Sequence, residues 1–318
     1  MLFETGMDLE ELRSVREEIM SHSQAYNTVK GYRSSWRMFV QWCESAGRQS
    51  LPASEDTVSL FAAWATKKRK PEPYALTHVK HICSAIQDRH RGAALPNPIT
   101  DLVRETLAGI ARSTDQDSEA KDALTPAQLK AAVAALGDGP VGIRDRAILL
   151  VGFTSGWRSC ELAGLNLQDV RFGEACMTFH LRRSKTDQLG KGRKVKIPRL
   201  PQNSLCPVAA LEAWILVRGR LAGPLFQPFR GSRQTPEDRA ICSELVCDVV
   251  QRTLRKAGID PDRYGAHSLR SGMVTAATEN GADLIAIIER TGQKRLETVA
   301  RYVRSPGGFN RDPLAGVL

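Results

Sequence analysis

Apolar residues recur every three or four positions through most of the first hundred residues, the period of a helix with one face turned to a core. The pattern predicts helices over Asp8 to Ser21, Ala25 to Ala46, Ser54 to Lys67, Tyr74 to Arg89 and Pro98 to Ala111. Ser54 and Asn97 serve as start signals, because their side-chain oxygens can accept from the unpaired N–H groups of a first helical turn. These helices make a small all-α domain. The period stops at Ser113-Thr-Asp-Gln-Asp-Ser-Glu-Ala-Lys-Asp122, which lacks any large apolar side chain and reads as an exposed interdomain linker. Beyond it Thr125-Pro126 opens a helix and Val141 to Phe153 predicts a buried one. Cys176 to Leu181 and Lys194 to Pro198 predict two strands joined by a polar turn, and helix resumes from Cys206.

The fold class expected is therefore mainly α, with α+β character in the second domain from one small antiparallel sheet. A chain of 318 residues exceeds the roughly 250 to 300 that a single core usually serves. The expected division is a helical domain over 1–112, a linker over 113–121 and a second domain over 122–318.

Hydrophobic residues at 42% and charged ones at 25% make a globular composition. The 45 Lys and Arg against 35 Asp and Glu leave a formal charge of +10, which favours a polyanionic partner. Apolar runs such as Ala147 to Phe153 fall well short of the roughly 20 residues of a membrane span. The amino terminus also lacks a signal peptide's basic-then-apolar order, so a soluble cytoplasmic protein is expected. Seven cysteines without a Cys-x-x-Cys pair argue against a disulfide framework or a zinc ribbon. His78 and His81, with Cys83 and His90 nearby, lie among Lys80, Arg89 and Arg91 and read as a solvated or DNA-facing helix; no metal is expected.

Lys30, Arg33 and Arg37 share a helix with Tyr32 and Trp36; Trp36, Phe39 and Trp42 read as core and the basic residues, with Lys80, as DNA contacts. Lys67, Lys68 and Arg69 open a basic cluster, ending at Lys70, for which phosphate contact and plain solvation stay open, since a helix carboxyl end favours cations in any case.

Three motifs carry chemistry: Gly156-Trp-Arg158-Ser-Cys-Glu161-Leu, His267-Ser-Leu-Arg270 and Thr291-Gly-Gln-Lys-Arg-Leu-Glu-Thr-Val-Ala-Arg-Tyr302. Arg158 and Arg270 suit a phosphate, because a guanidinium binds its oxygens bidentately and stays charged. His267 stands three residues before Arg270, on the same face of a helix, with a pKa range suited to moving a proton. Tyr302 follows Leu296 and Val299 at three-residue spacing, which by itself suits a core tyrosine. Next to two arginines, however, a phenol of pKa about 10 becomes a usable nucleophile.

Together these motifs resemble the tyrosine recombinases of the phage integrase family, closest to its Cre-like bacterial members. The resemblance implies that Tyr302 attacks a DNA phosphodiester, leaving a 3′-phosphotyrosyl bond and a free 5′-hydroxyl. Lys185, in Arg183-Ser-Lys-Thr-Asp187, resembles the hairpin lysine that protonates the leaving oxygen, although Lys191, Lys194 and Lys196 share the same turn and strand. Glu161 resembles the family's supporting acidic residue. Gln293 departs from the pattern: the family usually has His or Trp there, and an amide can donate to phosphate but carries no charge.

The resemblance further implies a helical core-binding domain and a catalytic domain that form a C-shaped clamp on DNA. It implies inverted-repeat target sites, a homotetramer joining two of them, and strand exchange through a Holliday junction in integration, excision or resolution. No cofactor is expected, since the phosphotyrosyl ester retains the energy of the broken bond and no P-loop is present. Arg304 and the closing segment Phe309 to Leu318 are part of the likeness; Leu314, Val317 and Leu318 can dock on a neighbouring protomer or fold back on their own domain. Two rivals stay open: a noncatalytic DNA-binding protein, with a helix-turn-helix over Asp283 to Arg304, and a type IB topoisomerase-like enzyme.

Overall fold

The computed structural model describes residues 10, 13–16, 26–113, 121–182, 192–200, 204–231 and 235–293. The chain divides into two compact units, Met1–Glu119 and Ala120–Leu318.

In the first unit, α1 (Tyr26–Ser45) pairs with α3 (Leu76–Gly92), and α2 (Glu55–Lys67) with α4 (Asp101–Ser113). Ser54 caps α2 by accepting from Thr57 N at 3.1 Å. Asn97 does not start α4. Its side chain accepts from Ile99 N at 3.0 Å in a local turn, and the helix begins at Asp101. The core is aromatic: Phe39 meets Phe61 edge to face at 5.2 Å, and Trp42 meets Phe61 at 5.3 Å. Phe39 is fully buried, whereas Trp36 and Trp42 are only partly covered at the rim. His90 is buried, its Nε2 accepting from Ala53 N and its Nδ1 bonded to Ile86 O, both at 2.8 Å. Both ring nitrogens are therefore committed to the backbone. Most of the segment Asp8 to Ser21 lies outside the described residues.

In the second unit, Thr125 caps α5 (Pro126–Ala134) in a capping box with Gln128. Helix α6 (Pro140–Ser155) is central, packing against α8 (Pro207–Arg218) and α10 (Ala266–Glu279). Its buried face carries an ion pair absent from the sequence reading. Asp145 accepts from Arg144 at 2.8 Å on one oxygen and from Arg252 of α9 (Ser243–Lys256) on the other. A short α7 (Ser159–Ala163) leads to a three-stranded antiparallel sheet in the order β1 (Val170–Phe172), β2 (Cys176–Leu181), β3 (Arg193–Pro198). Strand β1 was not predicted; it has three residues, only Val170 of them buried. In the β2–β3 register Met177 opposes Ile197 and Phe179 opposes Val195, all buried, while Lys194 and Lys196 face solvent. The same parity turns Arg193, opposite Leu181, to the inner face.

The segment entering this unit is clipped to α10 and the turn before it: Asp122 N donates to Arg263 O at 2.8 Å and Leu124 N to Ser268 O at 3.0 Å. Gly272 makes the close approach possible, because a Cβ there would collide with Leu124 O and the Phe153 ring. Helix α11 (Leu284–Thr291) follows, and among the described residues no helix is long and apolar enough to cross a membrane.

Candidate active site

Helix α6 ends at Gly156 in the left-handed conformation (φ 62°), which turns the chain sharply and sets Arg158 ahead of α7. A side chain at 156 would run into Met273 and Thr291, so glycine serves both the backbone angle and the packing. Glu161 then holds Arg158 twice: one carboxylate oxygen accepts from Arg158 N at 3.0 Å, the other from Nη1 at 2.9 Å. The Glu161 side chain is 2% exposed and that of Arg158 24%, so the carboxylate is buried while the guanidinium keeps an opening outward.

Arg270, one turn into α10, is buried at 1% exposure. Its Nη1 donates to Gly156 O at 2.7 Å and Thr291 O at 2.9 Å, tying the end of α6 to the end of α11. His267 precedes it by one turn on the solvent-open rim of the same face. Partial burial, then the positive charges of Arg270 and Arg158, push its imidazole below the ordinary range. The bond from Arg270 to Gly156 O, two residues ahead of Arg158, brings the stretch that carries His267 and Arg270 against the one that carries Arg158.

Gln293 follows the left-handed Gly292 (φ 64°) that ends α11. It is buried, and its Oε1 accepts from the Thr291 hydroxyl at 3.4 Å, leaving the amide nitrogen as the donor. Arg158, Glu161, His267, Arg270 and Gln293 are thus brought together from three separate stretches of chain. Lys185, Tyr302 and Arg304 lie outside the described residues, as do the tail from Phe309 and the second helix of the suggested helix-turn-helix.

Arg193 was missed by the sequence reading. Its Nη1 donates to Glu289 O at 3.1 Å and Arg290 O at 3.0 Å, and its Nη2 stands 3.8 Å from Glu161. Burial pulls its pKa below the usual guanidinium value; Glu161 pulls it back up and Arg158 pushes it down. The signal was present in the strand alternation, which gives a charged residue the parity of Val195 and Ile197. Three guanidinium groups against one carboxylate leave an excess of positive charge, an arrangement that suits a bound anion.

The proposed DNA contacts other than Arg304 sit in the first unit. Lys30, Arg33 and Arg37 are exposed on α1, and Lys80 on α3. Arg33 and Arg89 flank a groove of about 260 Å³ lined also by Tyr32, Trp36 and Asp88. Lys67 donates to Ser113 O at 3.4 Å and Arg69 lies over the Tyr74 ring at 3.7 Å, so both have local partners, whereas Lys68 and Lys70 are exposed. His78 lies against Tyr74 and His81 against Tyr32, apart from the backbone-bonded His90.

Residues 122–306 match the phage integrase family. The chain belongs to this family. The matched span is more than half the chain and contains every motif residue described above. An integrase/recombinase xerD homolog of Selenomonas ruminantium is 28% identical over 301 residues, covering 93% of this chain and 86% of the relative. Tyrosine recombinase XerC of Rhodospirillum centenum is 30% identical over 290 residues, covering 87% of this chain and 76% of the relative. Among solved structures, a lambda integrase tetramer bound to a Holliday junction has a TM-score of 0.56 at 16% identity, over 94% of this chain and 78% of that one, a likeness of fold. The family read from the motifs and the mainly helical fold with a small sheet are both borne out.

Proposed function

We propose that this phage integrase family member is a site-specific recombinase that cuts and rejoins DNA through Tyr302. The observation that carries the reading is that Arg270 bonds to both Gly156 O and Thr291 O, which draws together the stretches bearing Arg158, His267 and Gln293. Arg158 and Arg270 neutralise the scissile phosphate, and the Gln293 amide donates to one of its oxygens. The Tyr302 oxygen bonds to phosphorus, the P–O5′ bond breaks, and the phenolic proton passes to His267, whose pKa is lowered by burial and by the neighbouring arginines. The departing 5′ oxygen takes a proton from Lys185. Rejoining reverses each transfer, so the bond count balances without ATP or metal. Glu161 touches no substrate; it orients Arg158.

The first unit is the core-binding domain, laying Lys30, Arg33, Arg37, Lys68 and Lys80 along phosphates, with Lys67 and Arg69 adding to the basic surface; Arg304 is a further DNA contact from the second unit. The second is the catalytic domain, and both bind an inverted-repeat site. A homotetramer joins two such sites in the cytoplasm, with the tail from Phe309 docking on a neighbour; the lambda integrase tetramer on a Holliday junction, a neighbour in fold, supports the tetramer.

Covalent trapping on a library of nicked half-sites, resolved on a denaturing gel, tests the reading. Wild type is expected to give a DNA-linked band that Tyr302→Phe abolishes. Binding by both proteins without an adduct from either would overturn it.

A further inference from the structure

The hairpin strand β3 begins with a cation on the wrong face for a cation. Val195 and Ile197 share the inner parity of Arg193 and are buried, and the Arg193 side chain is only 20% exposed. Such a group is costly to bury unless it is paired. Its Nη1 is paired with two carbonyls at the carboxyl end of α11, where the helix leaves acceptors unfilled. Gly292 is what admits it: a Cβ at that position would occupy the space of the Arg193 guanidinium. Its Nη2 faces Glu161 at 3.8 Å, and neither Nη2 nor Nε makes a hydrogen bond among the described residues.

These contacts touch both arginines of the site indirectly. Glu161 fixes Arg158. The α11 end, through Thr291 O, is one of the two anchors of Arg270. We propose that Arg193 is a positioning residue: it locks the end of α11 to Glu161 and thereby holds Arg158 and Arg270 in register on the scissile phosphate. The inference rests on the recombinase reading above. Arg193 does not itself touch the phosphate. It sets the spacing of the two groups that do, much as a partner behind a metal ligand sets the ligand's angle.

Arg193→Gln and Arg193→Lys test this with half-site DNA recovered by the trapping experiment. DNA affinity is measured by anisotropy and single-turnover adduct formation on a gel. Each is run on natural DNA and on DNA whose scissile phosphate is an uncharged methylphosphonate. A neutral phosphate makes less demand on cation placement, so a positioning defect shrinks there, whereas general damage to the fold does not. The expected result is affinity within about threefold of wild type and adduct formation on natural DNA slowed by roughly 10- to 100-fold in Arg193→Gln. The methylphosphonate deficit should be several-fold smaller. Arg193→Lys, which keeps the charge but cannot span two carbonyls and a carboxylate, should fall between, and it remains informative if Arg193→Gln does not fold. Equal deficits on both substrates, or an unchanged rate, would overturn the proposal. A wild type that binds DNA but forms no Tyr302-linked adduct would overturn the recombinase reading, and this inference with it.

Discussion

Replacing Glu161 by alanine should move three measured quantities in different directions. The carboxylate accepts from Arg158 N at 3.0 Å and from Arg158 Nη1 at 2.9 Å, and lies 3.8 Å from Arg193. Removing one partner of a buried ion pair costs about 3–5 kcal/mol, and a single hydrogen bond to a charged group about 1.5–3 kcal/mol. Arg158 is 24% exposed and can recover water, so the upper figure is too high. A loss of about 2–4 kcal/mol follows, or roughly 5–15 °C in Tm for a domain of this size. Cleavage should slow by on the order of 10- to 100-fold as Arg158 loses its orientation. DNA affinity should hold or rise, because a negative charge leaves a site that binds phosphate. Glu161→Gln keeps the acceptor for Arg158 N and should show about half the stability loss. Thermal unfolding, anisotropy and the half-site adduct assay read the three effects. An Ala variant with wild-type Tm, or one that binds DNA more weakly in step with slower cleavage, would refute the reasoning.

Gly272→Ala should destabilise the second unit by about 1–3 kcal/mol or more, seen as a lower urea midpoint, because the new methyl meets the Leu124 carbonyl and the backbone cannot yield as a side chain would; an unchanged midpoint would show that α10 is free to shift. For His267 the folded pKa lies below its unfolded value of about 6.5, so the unfolded chain takes up the proton first. Its stability contribution is therefore present above that value and lost as pH falls, and His267→Gln should flatten the stability curve between the two; a wild type equally stable on both sides of pH 6.5 contradicts this. Gln293→His should leave adduct formation equal or faster, since an imidazole restores the group usual at that position, whereas complete loss would mean that the buried amide and its Thr291 contact are themselves required.

Much of the helical framework was legible because its signals are local. Ser54 and Thr125 cap the helices they were expected to cap, since a hydroxyl three residues ahead of an amide suffices for that bond. Asn97 misled for the same kind of reason: its oxygen serves Ile99 N in a turn, and the helix waits until Asp101. Strand β1, with one buried residue, has no period to detect. Arg158, His267 and Arg270 could be named from their motifs, and the fold brings them together. The partners that hold them are separated too far in sequence for spacing to reveal: Arg270 reaches Gly156 across 114 positions and Arg193 reaches Arg290 across 97. The Asp145 cluster likewise depends on Arg252, 107 residues away. Long-range pairing of charges leaves no trace in a local pattern.

The clip between residues 122–124 and α10 sets a rule for dissecting the protein. Asp122 and Leu124 donate their amides to Arg263 and Ser268, on either side of His267, and a cut that removed them would leave both carbonyls and the Gly272 notch bare. A fragment starting at the Thr125 cap should thus lose the brace behind His267 and Arg270 while keeping every motif residue. Excision of the second unit needs to begin no later than Lys121, whose ammonium also reaches Asp262 O.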